Sequence, residues 1–168
     1  MIKGRGVAAG RKQQDKIKPK DATSPTASTE AVMLTAKIDA LEGRDVTVVE
    51  ISGVYLSADM DDDIRIVFRG ALADMVLAAD PALNQPFVSY ETGKADLYVW
   101  LQKALYGCLK SELVFYEKLV GDLEAYGFKI NPYDPCVANK MIGGKQLTVC
   151  CHVDDLKISC VDANEVKK

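Results

Sequence analysis

Two adjacent aspartates, Asp154 and Asp155, are the side chains of this 168-residue chain best suited to chemistry. They stand between two short apolar runs in residues 147–159, which read LTVCCHVDDLKIS. Adjacent residues on a strand point to opposite faces, so both carboxylates can serve one site only where the backbone turns. A strand, a tight turn with two acids and a returning strand would present carboxylate oxygens to a divalent cation such as Mg²⁺.

A third acid, Glu50, ends another strand-like run at residues 46–51. Phosphoryl transfer with two metal ions about 4 Å apart needs carboxylates from more than one segment. One acid from the end of a first strand and a pair from a distant hairpin meet that need. Structural alternatives stand beside this hypothesis, because Asp-Asp is a common turn dipeptide and a strand-end Glu50 can simply face solvent.

The elements expected to position these acids are a mixture of helices and strands. A first helix is predicted to begin at Pro25, with Ser24 or Thr23 as its cap, and to end at Gly43. Its apolar face is predicted to contain Ala31, Leu34, Ile38 and Leu41. Apolar periodicity further predicts helices at 71–79 and 111–126, strands at 46–51, 64–68 and 97–101, and a hairpin of 137–141 with 147–152 around Gly143-Gly144.

Composition and charge limit the classes of function. Five cysteines without Cys-x-x-Cys spacing and a single histidine make a zinc site improbable, and the cysteines are interpreted as small buried hydrophobes. Residues 1–20 carry a net charge of +6, so the remainder carries −9 of the overall −3. We interpret residues 1–22 as a flexible basic arm, which suits either nucleic-acid contact or a solvated tail. No apolar run approaches the ~18 residues of a membrane span, and an intracellular, reducing setting is expected.

Five segments give the chain a specific resemblance. They are Ser24-Pro-Thr-Ala-Ser-Thr-Glu30, VTVVEISGVYLSADMDD at 46–62, LQKALYGCLKSELVFYEKL at 101–119, GFKINPYDPC at 127–136 and CHVDDLKIS at 151–159. In this order they resemble the reverse transcriptase domain of copia-type (Pseudoviridae-like) LTR retrotransposons, over roughly residues 23–168. The fold implied is α+β: a palm of antiparallel strands backed by helices, with partial fingers and no thumb.

The resemblance implies roles for individual residues. Asp154 and Asp155 match the paired catalytic aspartates, and Glu50 falls where the family carries its first catalytic aspartate. These three carboxylates, with the backbone carbonyl of Ile51, are the implied metal ligands. Tyr55 matches the aromatic residue that packs under the incoming sugar, and Tyr106 and Gly107 match the loop near the nucleotide.

Three further residues are candidates for nucleic-acid contact: Lys103, Lys110 and His152. Either lysine can instead be a solvated side chain. His152 is read either as a metal ligand or, more simply, as a hairpin residue near the primer end.

The resemblance also implies partners: an RNA or DNA template-primer, deoxynucleotides, Mg²⁺ or Mn²⁺, and, in an intact element, integrase and RNase H domains. Cytoplasm and nucleus are the compartments expected from the family, with no membrane association. One departure is Glu50, whose extra methylene moves the carboxylate by about 1.5 Å relative to aspartate. Two hypotheses follow: an RNA-directed DNA polymerase domain, or a fragmentary or degenerate, non-catalytic copy, truncated at its C-terminus, with at most weak nucleic-acid binding.

Overall fold

A five-stranded antiparallel sheet carries both of the acidic segments. The computed structural model describes residues 6–13, 17–18, 22–60, 63–91 and 93–167. Its helices are α1 (Thr29–Glu42), α2 (Ala71–Ala79), α3 (Pro81–Asn84), α4 (Ser111–Ala125) and α5 (Ala163–Val166). Its strands are β1 (Asp45–Glu50), β2 (Arg65–Arg69), β3 (Val88–Ser89), β4 (Asp96–Trp100), β5 (Lys129–Ile130), β6 (Val137–Ile142), β7 (Lys145–His152) and β8 (Asp155–Cys160).

The larger sheet has the order β1-β8-β7-β6-β5, with every neighbouring pair antiparallel. The predicted hairpin around Gly143-Gly144 is present as β6 and β7, and both glycines have positive φ, 56° and 78°. Two positive φ values suit the tight turns that match the twist of a hairpin, and glycine adopts them without steric cost. The hairpin of β7 and β8 places the two aspartates at the same end of the sheet as the end of β1.

A second, three-stranded sheet has the order β2-β4-β3 and is also antiparallel. One of its faces packs against α2, where Leu97 and Ala73 are fully buried beside Phe68 and Val99. Segment 101–104 then runs back along residues 58–60 and Ile64 through main-chain hydrogen bonds and leads to the loop of Tyr106 and Gly107. The small sheet is thereby tied to the segment that follows β1.

The first helix differs from its prediction at its start and on its buried face. It begins at Thr29, because the side chain of Ser28 accepts a hydrogen bond from the Ala31 N–H and caps the helix. Its buried residues are Thr35 and Asp39, while Leu34 and Leu41 are exposed. The reason lies on β8, where the Lys157 ammonium forms an ion pair with Asp39 and a 3.0 Å hydrogen bond to Thr35 Oγ1.

Two apolar clusters lie under the acidic turn. The first joins the short 3-10 helix Val54–Ser57 to α4 and includes Tyr55 and Phe115. The second surrounds Cys136, Cys150 and Cys151, where burial raises the pKa of the Cys136 thiol to about 11 and that of Cys151 to about 12. All five cysteines are free and buried, which confirms their interpretation as small hydrophobes.

The fold confirms the expected mixture of helices with antiparallel sheets. None of the helices in the described ranges is long and apolar enough to cross a membrane.

Candidate active site

Glu50 and Asp155 lie directly opposite each other at the end of the β1–β8 ladder. Residues paired in this way have their side chains on the same face, with Cβ atoms about 5 Å apart. The ladder continues for one step, because the Ile51 N–H donates to the Asp154 carbonyl oxygen at 3.2 Å. The strand-end acid and the hairpin acids, 105 positions apart at Glu50 and Asp155, are therefore neighbours, which excludes an arrangement with Glu50 far from the pair.

Asp154 occupies the two-residue turn between His152 and Asp155, which are themselves a cross-strand pair. Its carboxylate interacts with the Tyr55 hydroxyl: burial raises the pKa of Tyr55, and the charge and hydrogen bond of Asp154 raise it further. Asp154 Oδ1 is buried and has no hydrogen-bond partner among the described residues. The turn therefore separates the two aspartates, one beside Glu50 and one against Tyr55.

Val153, the other turn residue, has a φ of 55°. It is the only non-glycine residue with positive φ in the described part of the chain. The left-handed region is unfavourable for a β-branched side chain, so the acidic turn holds backbone strain.

Three aromatic rings, those of Tyr55, Tyr106 and Phe115, pack together beside the acidic turn. The Tyr55 ring meets Tyr106 edge to face, with ring centroids 4.5 Å apart, and meets Phe115 in the same manner at 6.0 Å. Tyr55 is buried in the 3-10 helix that follows β1. The position of Tyr55 is thus fixed by the loop of Tyr106 on one side and by α4 on the other.

An open pocket of about 340 Å³ lies between Tyr55 and Gly107. Its other lining residues are Ala22, Thr23, Ser24, Cys108, Leu109, Ser111 and Glu112. Ser111 closes the loop that forms one wall, because its hydroxyl donates to the Leu105 carbonyl oxygen at 2.7 Å and accepts from the Leu105 N–H at 3.0 Å. The pocket brings together two of the residues expected near a nucleotide, Tyr55 and Gly107, and the third, Tyr106, packs edge to face against Tyr55.

Glu112 is a site residue that the sequence did not reveal. It lines the pocket, and its charge is one of the causes that raise the pKa of Tyr55. It stands in the first turn of α4, where an acid is favourable at any helix N-terminus. Its type and position therefore gave no signal beyond a helix start.

Gly107 is in contact with the chain's N-terminal segment. Its φ is 84°, and a Cβ there would lie 2.1 Å from the Ala8 carbonyl oxygen. The Ala8 N–H donates to the Tyr106 carbonyl oxygen at 2.7 Å, and the Leu109 N–H donates to Gln13 Oε1 at 2.9 Å. Residues 6–13 of the predicted arm thus pack on the pocket loop, whereas its residues 1–5, 14–16 and 19–21 lie outside the described ranges.

The candidates for nucleic-acid contact lie in different places. Lys103 forms an ion pair with Asp59 across an isolated bridge of segment 101–104. Lys110 is the N-cap residue of α4 and is half-buried near the pocket. His152 is exposed at the end of β7. Their contacts with nucleic acid stay predictions.

The acids at the turn have the donor chemistry of a Mg²⁺ site. Two like charges directly across a ladder, Glu50 and Asp155, destabilise it, and a buried oxygen of Asp154 lacks a partner; a cation offsets both. Nevertheless, no three His, Cys, Asp or Glu side chains in the described ranges are grouped closely enough to hold a metal ion. The donors fit the cation, but the arrangement does not close a three-ligand cluster, and the Ile51 carbonyl stays a predicted ligand.

Comparison with known proteins identifies the family of this chain. The family model described as reverse transcriptase (RNA-dependent DNA polymerase) matches residues 1–168, so the match includes the N-terminal segment as well as both sheets. No curated protein and no solved structure matches the chain. Since the family model matches the chain over its full sequence, the chain belongs to the reverse transcriptase family.

Proposed function

We propose that this chain is the RNA-directed DNA polymerase domain of a copia-type retrotransposon polyprotein and works by two-metal nucleotidyl transfer. The observation that carries the proposal is the pairing of Glu50 with Asp155, beside an Asp154 that contacts Tyr55. In this proposal the five-stranded sheet is the palm and the three-stranded sheet is part of the fingers. The family match supports polymerase chemistry, and the ordered motifs of the sequence support the copia type.

Each side chain has a defined task in the proposed reaction. The primer 3′-hydroxyl loses its proton to solvent and its oxygen attacks the α-phosphate of a deoxynucleotide. A new phosphodiester bond forms, the bond from the α-phosphorus to the oxygen of the β-phosphate breaks, and pyrophosphate leaves. Glu50, Asp154 and Asp155 would hold Mg²⁺, which when bound offsets the negative charge that develops on the transferred phosphoryl group. Tyr55 supports the sugar, and the loop of Gly107 forms the opposite wall of the nucleotide pocket.

A second candidate function is a non-catalytic copy that keeps the fold and weak nucleic-acid binding. Two observations favour it: the longer side chain of Glu50, and the absence of a closed three-ligand cluster among the described residues. Misplacement of a reacting group by about 1 Å can cost about a hundredfold in rate. The two candidates therefore differ in whether this turn can organise the reacting atoms.

Primer extension on an RNA template with Mg²⁺ or Mn²⁺ separates the two candidates. We expect incorporation by the native chain, loss of it in Asp154→Asn, and a rate up to about a hundredfold higher in Glu50→Asp, because the shorter acid withdraws the carboxylate toward the family geometry. Asp162→Asn is the matched control, since Asp162 caps α5 at the far end of β8.

The outcomes are read with circular dichroism to show that each variant is folded. Incorporation only by Glu50→Asp would identify this exchange as the lesion of the copy. Absence of incorporation from all folded variants would contradict the polymerase proposal and favour the non-catalytic copy.

A further inference from the structure

One edge of the five-stranded sheet is open along a whole strand. In the order β1-β8-β7-β6-β5, β1 has β8 on one side and no strand of the described ranges on the other. Its pairing with β8 keeps one register from Asp45 to Glu50, without a bulge. A long and regular edge presents a row of unpaired main-chain groups to which another strand can add.

The three other edges of the two sheets have features that oppose such addition. β5 and β3 are only two residues long, and β5 begins with Lys129. β2 has an arginine at each end, Arg65 and Arg69, and lines a cavity together with residues of the N-terminal segment. By contrast, β1 contains no lysine and no proline, and its acids stand only at its two ends. Short strands, cationic side chains and covering segments protect an edge, so β1 is the unprotected one.

The hydrogen bond from the Ile51 N–H to the Asp154 carbonyl oxygen shows which groups of β1 face outward. Main-chain groups alternate in direction along an antiparallel strand, so the odd-numbered residues of β1 follow Ile51 and point toward β8. The even-numbered residues point away from β8, and they are Val46, Val48 and Glu50. In the described part of the chain, no main-chain hydrogen bond of these three residues leads away from the sheet.

Valine side chains are exposed along the same edge. Val48 is 66% exposed and Val46 is 45% exposed, and both stand on one face because they are two residues apart. Val49, on the opposite face, is also exposed. Outward donors, outward acceptors and uncovered valines in one strand are what the addition of a further β-strand requires.

A second copy of the chain supplies a strand that matches β1. Two copies related by a two-fold axis pair antiparallel, and residues directly opposite each other must share a face. Since faces alternate with residue number, odd residues pair only with odd residues and even residues with even ones. That rule excludes the register that would place Asp45 opposite Glu50 of the second copy. In the register centred on Thr47, Val46 lies opposite Val48 of the second copy.

We propose that two copies of this chain associate through β1, antiparallel and with Thr47 on the two-fold axis. Val46 of each copy exchanges main-chain hydrogen bonds with Val48 of the other, and these exposed side chains cover each other. Asp45 lies opposite the uncharged Val49, so no acid faces an acid across the new ladder. The association closes at two copies, because each chain offers one such edge. It does not depend on the proposed polymerase function.

Sedimentation equilibrium of the full chain, from about 1 µM to about 1 mM, measures the association. We expect a dimer whose fraction rises with concentration, and no larger species. Amide hydrogen exchange followed by NMR locates the contact, because the N–H groups of Val46 and Val48 should exchange more slowly as the dimer forms. Those of Thr47 and Val49 should keep their rates, since they are already bonded to β8.

Variants at β1 test whether this edge is the contact. Val48→Lys places a charge in the new ladder and is expected to weaken association roughly tenfold or more, because the two-fold axis repeats the change. Val48→Pro removes an outward donor without removing a bond to β8, and should also weaken association. Leu72→Lys is the matched control, since Leu72 is a 52% exposed apolar residue on α2, and should associate like the native chain. Circular dichroism shows whether each variant is folded.

A cross-link tests the register. Residues on the axis in a non-hydrogen-bonded pair have Cα atoms about 4.5 Å apart, which suits a disulfide. Thr47→Cys is therefore expected to form an intermolecular disulfide on mild oxidation, whereas Lys129→Cys, on the other edge strand of the same sheet, is not. The native cysteines are all buried and provide the background for this comparison.

Four outcomes would overturn the proposal. A monomer at every concentration would exclude a second copy as the occupant of this edge. Equal association of Val48→Lys and Leu72→Lys would place the contact elsewhere. Species that keep growing beyond two copies would show an open contact in place of a closed one. Cross-linking by Val48→Cys and not by Thr47→Cys would exclude the register.

Discussion

At the scale of single residues, the acidic turn combines backbone strain with two like charges across a ladder and a buried Asp154 oxygen that lacks a partner. Val153 is held at a φ of 55° because β7 and β8 pair right up to His152 and Asp155, which leaves two residues to reverse the chain. The first position of such a turn takes positive φ, which favours glycine or asparagine. A valine there stores strain between the residues proposed to bind metal, so strain and the site coincide.

Replacement of Val153 by asparagine should stabilise the fold. Asparagine tolerates the left-handed conformation, so Val153→Asn is expected to raise the free energy of unfolding by about 1 kcal/mol. Urea denaturation of the full chain measures this change. Val161→Asn is the matched control: Val161 is 44% exposed and Val153 is 41% exposed, but Val161 does not have positive φ. Equal effects of the two substitutions would show that the turn is not strained.

The chemistry of single residues could be read from the sequence more easily than their contacts. Carboxylates at two β-prone segments pointed to Glu50, Asp154 and Asp155, because acids are rare in such runs. The contact of Asp154 with Tyr55 depends on the 3-10 helix after β1, and that of Glu112 depends on how α4 packs. Neither packing relation leaves a pattern in residue types, so these contacts required the structure.

At the scale of elements, the strands and most helices formed where the sequence pattern predicted them. The start and the buried face of α1 differed from their prediction. Its helical period was read as an apolar face toward the core, but the face that meets β8 carries Thr35 and Asp39. This polar face is buried because it contacts Lys157, which is more than a hundred residues away in the chain. Periodicity within a helix cannot reveal a charge on the strand it packs against, which explains the error.

Asp134, which lies between β5 and β6, holds the start of α1 in place. Its carboxylate accepts hydrogen bonds from the Ser28 N–H (3.0 Å), the Ser28 hydroxyl (2.8 Å) and the Cys136 N–H (2.9 Å). Burial opposes the charged form, but these donors together hold the pKa of Asp134 below its ordinary value of 3.8. Two of the motifs that carried the family resemblance, at 24–30 and 127–136, are thus joined by one carboxylate.

Asp134→Asn should therefore destabilise the fold in a pH-dependent way. We expect a loss of about 2 kcal/mol near neutral pH, because hydrogen bonds to a charged group are replaced by weaker ones. Since the folded-state pKa is lowered, this stabilisation is present above about pH 4 and is lost as the pH falls through the folded pKa. Urea unfolding at pH 7 and pH 3 should show a difference between native and variant that shrinks in acid.

The control for Asp134 is Asp162→Asn, at a partly exposed cap of α5 whose pKa is also lowered by hydrogen bonds. We expect a small effect from it, because solvent can replace the lost contacts. A difference between native and Asp134→Asn that stays constant from pH 7 to pH 3 would contradict the linkage argument.

At the scale of the whole molecule, the N-terminal segment joins a loop almost a hundred residues later. The sequence motifs supported a domain from residue 23, and residues 1–22 were interpreted as an arm from their positive charge and their lack of apolar periodicity. The family match spans residues 1–168, and residues 8–13 contact the loop of Tyr106 to Leu109. The segment docks through main-chain atoms at Gly10 and Gly107. Such a contact produces no apolar periodicity, so the sequence could not predict it. The division into arm and domain stays a prediction, but the docked part of the arm contacts the loop that lines the 340 Å³ pocket.

Gly10→Ala measures how firmly this segment is docked. A Cβ on Gly10 would lie 2.1 Å from the Gly107 carbonyl oxygen, so the segment must shift or detach, and we expect a loss of about 1–3 kcal/mol of unfolding free energy. Gly121→Ala is the matched control with the opposite sign: it lies within α4, has no neighbouring atom within 4 Å of an added Cβ, and should gain about 0.5–1 kcal/mol. A segment that detaches loses only its docking free energy. The loss of unfolding free energy in Gly10→Ala therefore cannot exceed the free energy with which the segment docks. Gly107→Ala should cost more than Gly10→Ala, since its φ of 84° adds backbone strain that detachment does not relieve. A Gly10→Ala variant as stable as the native chain would show that the segment contributes nothing to the fold, and the pocket loop would then stand without it.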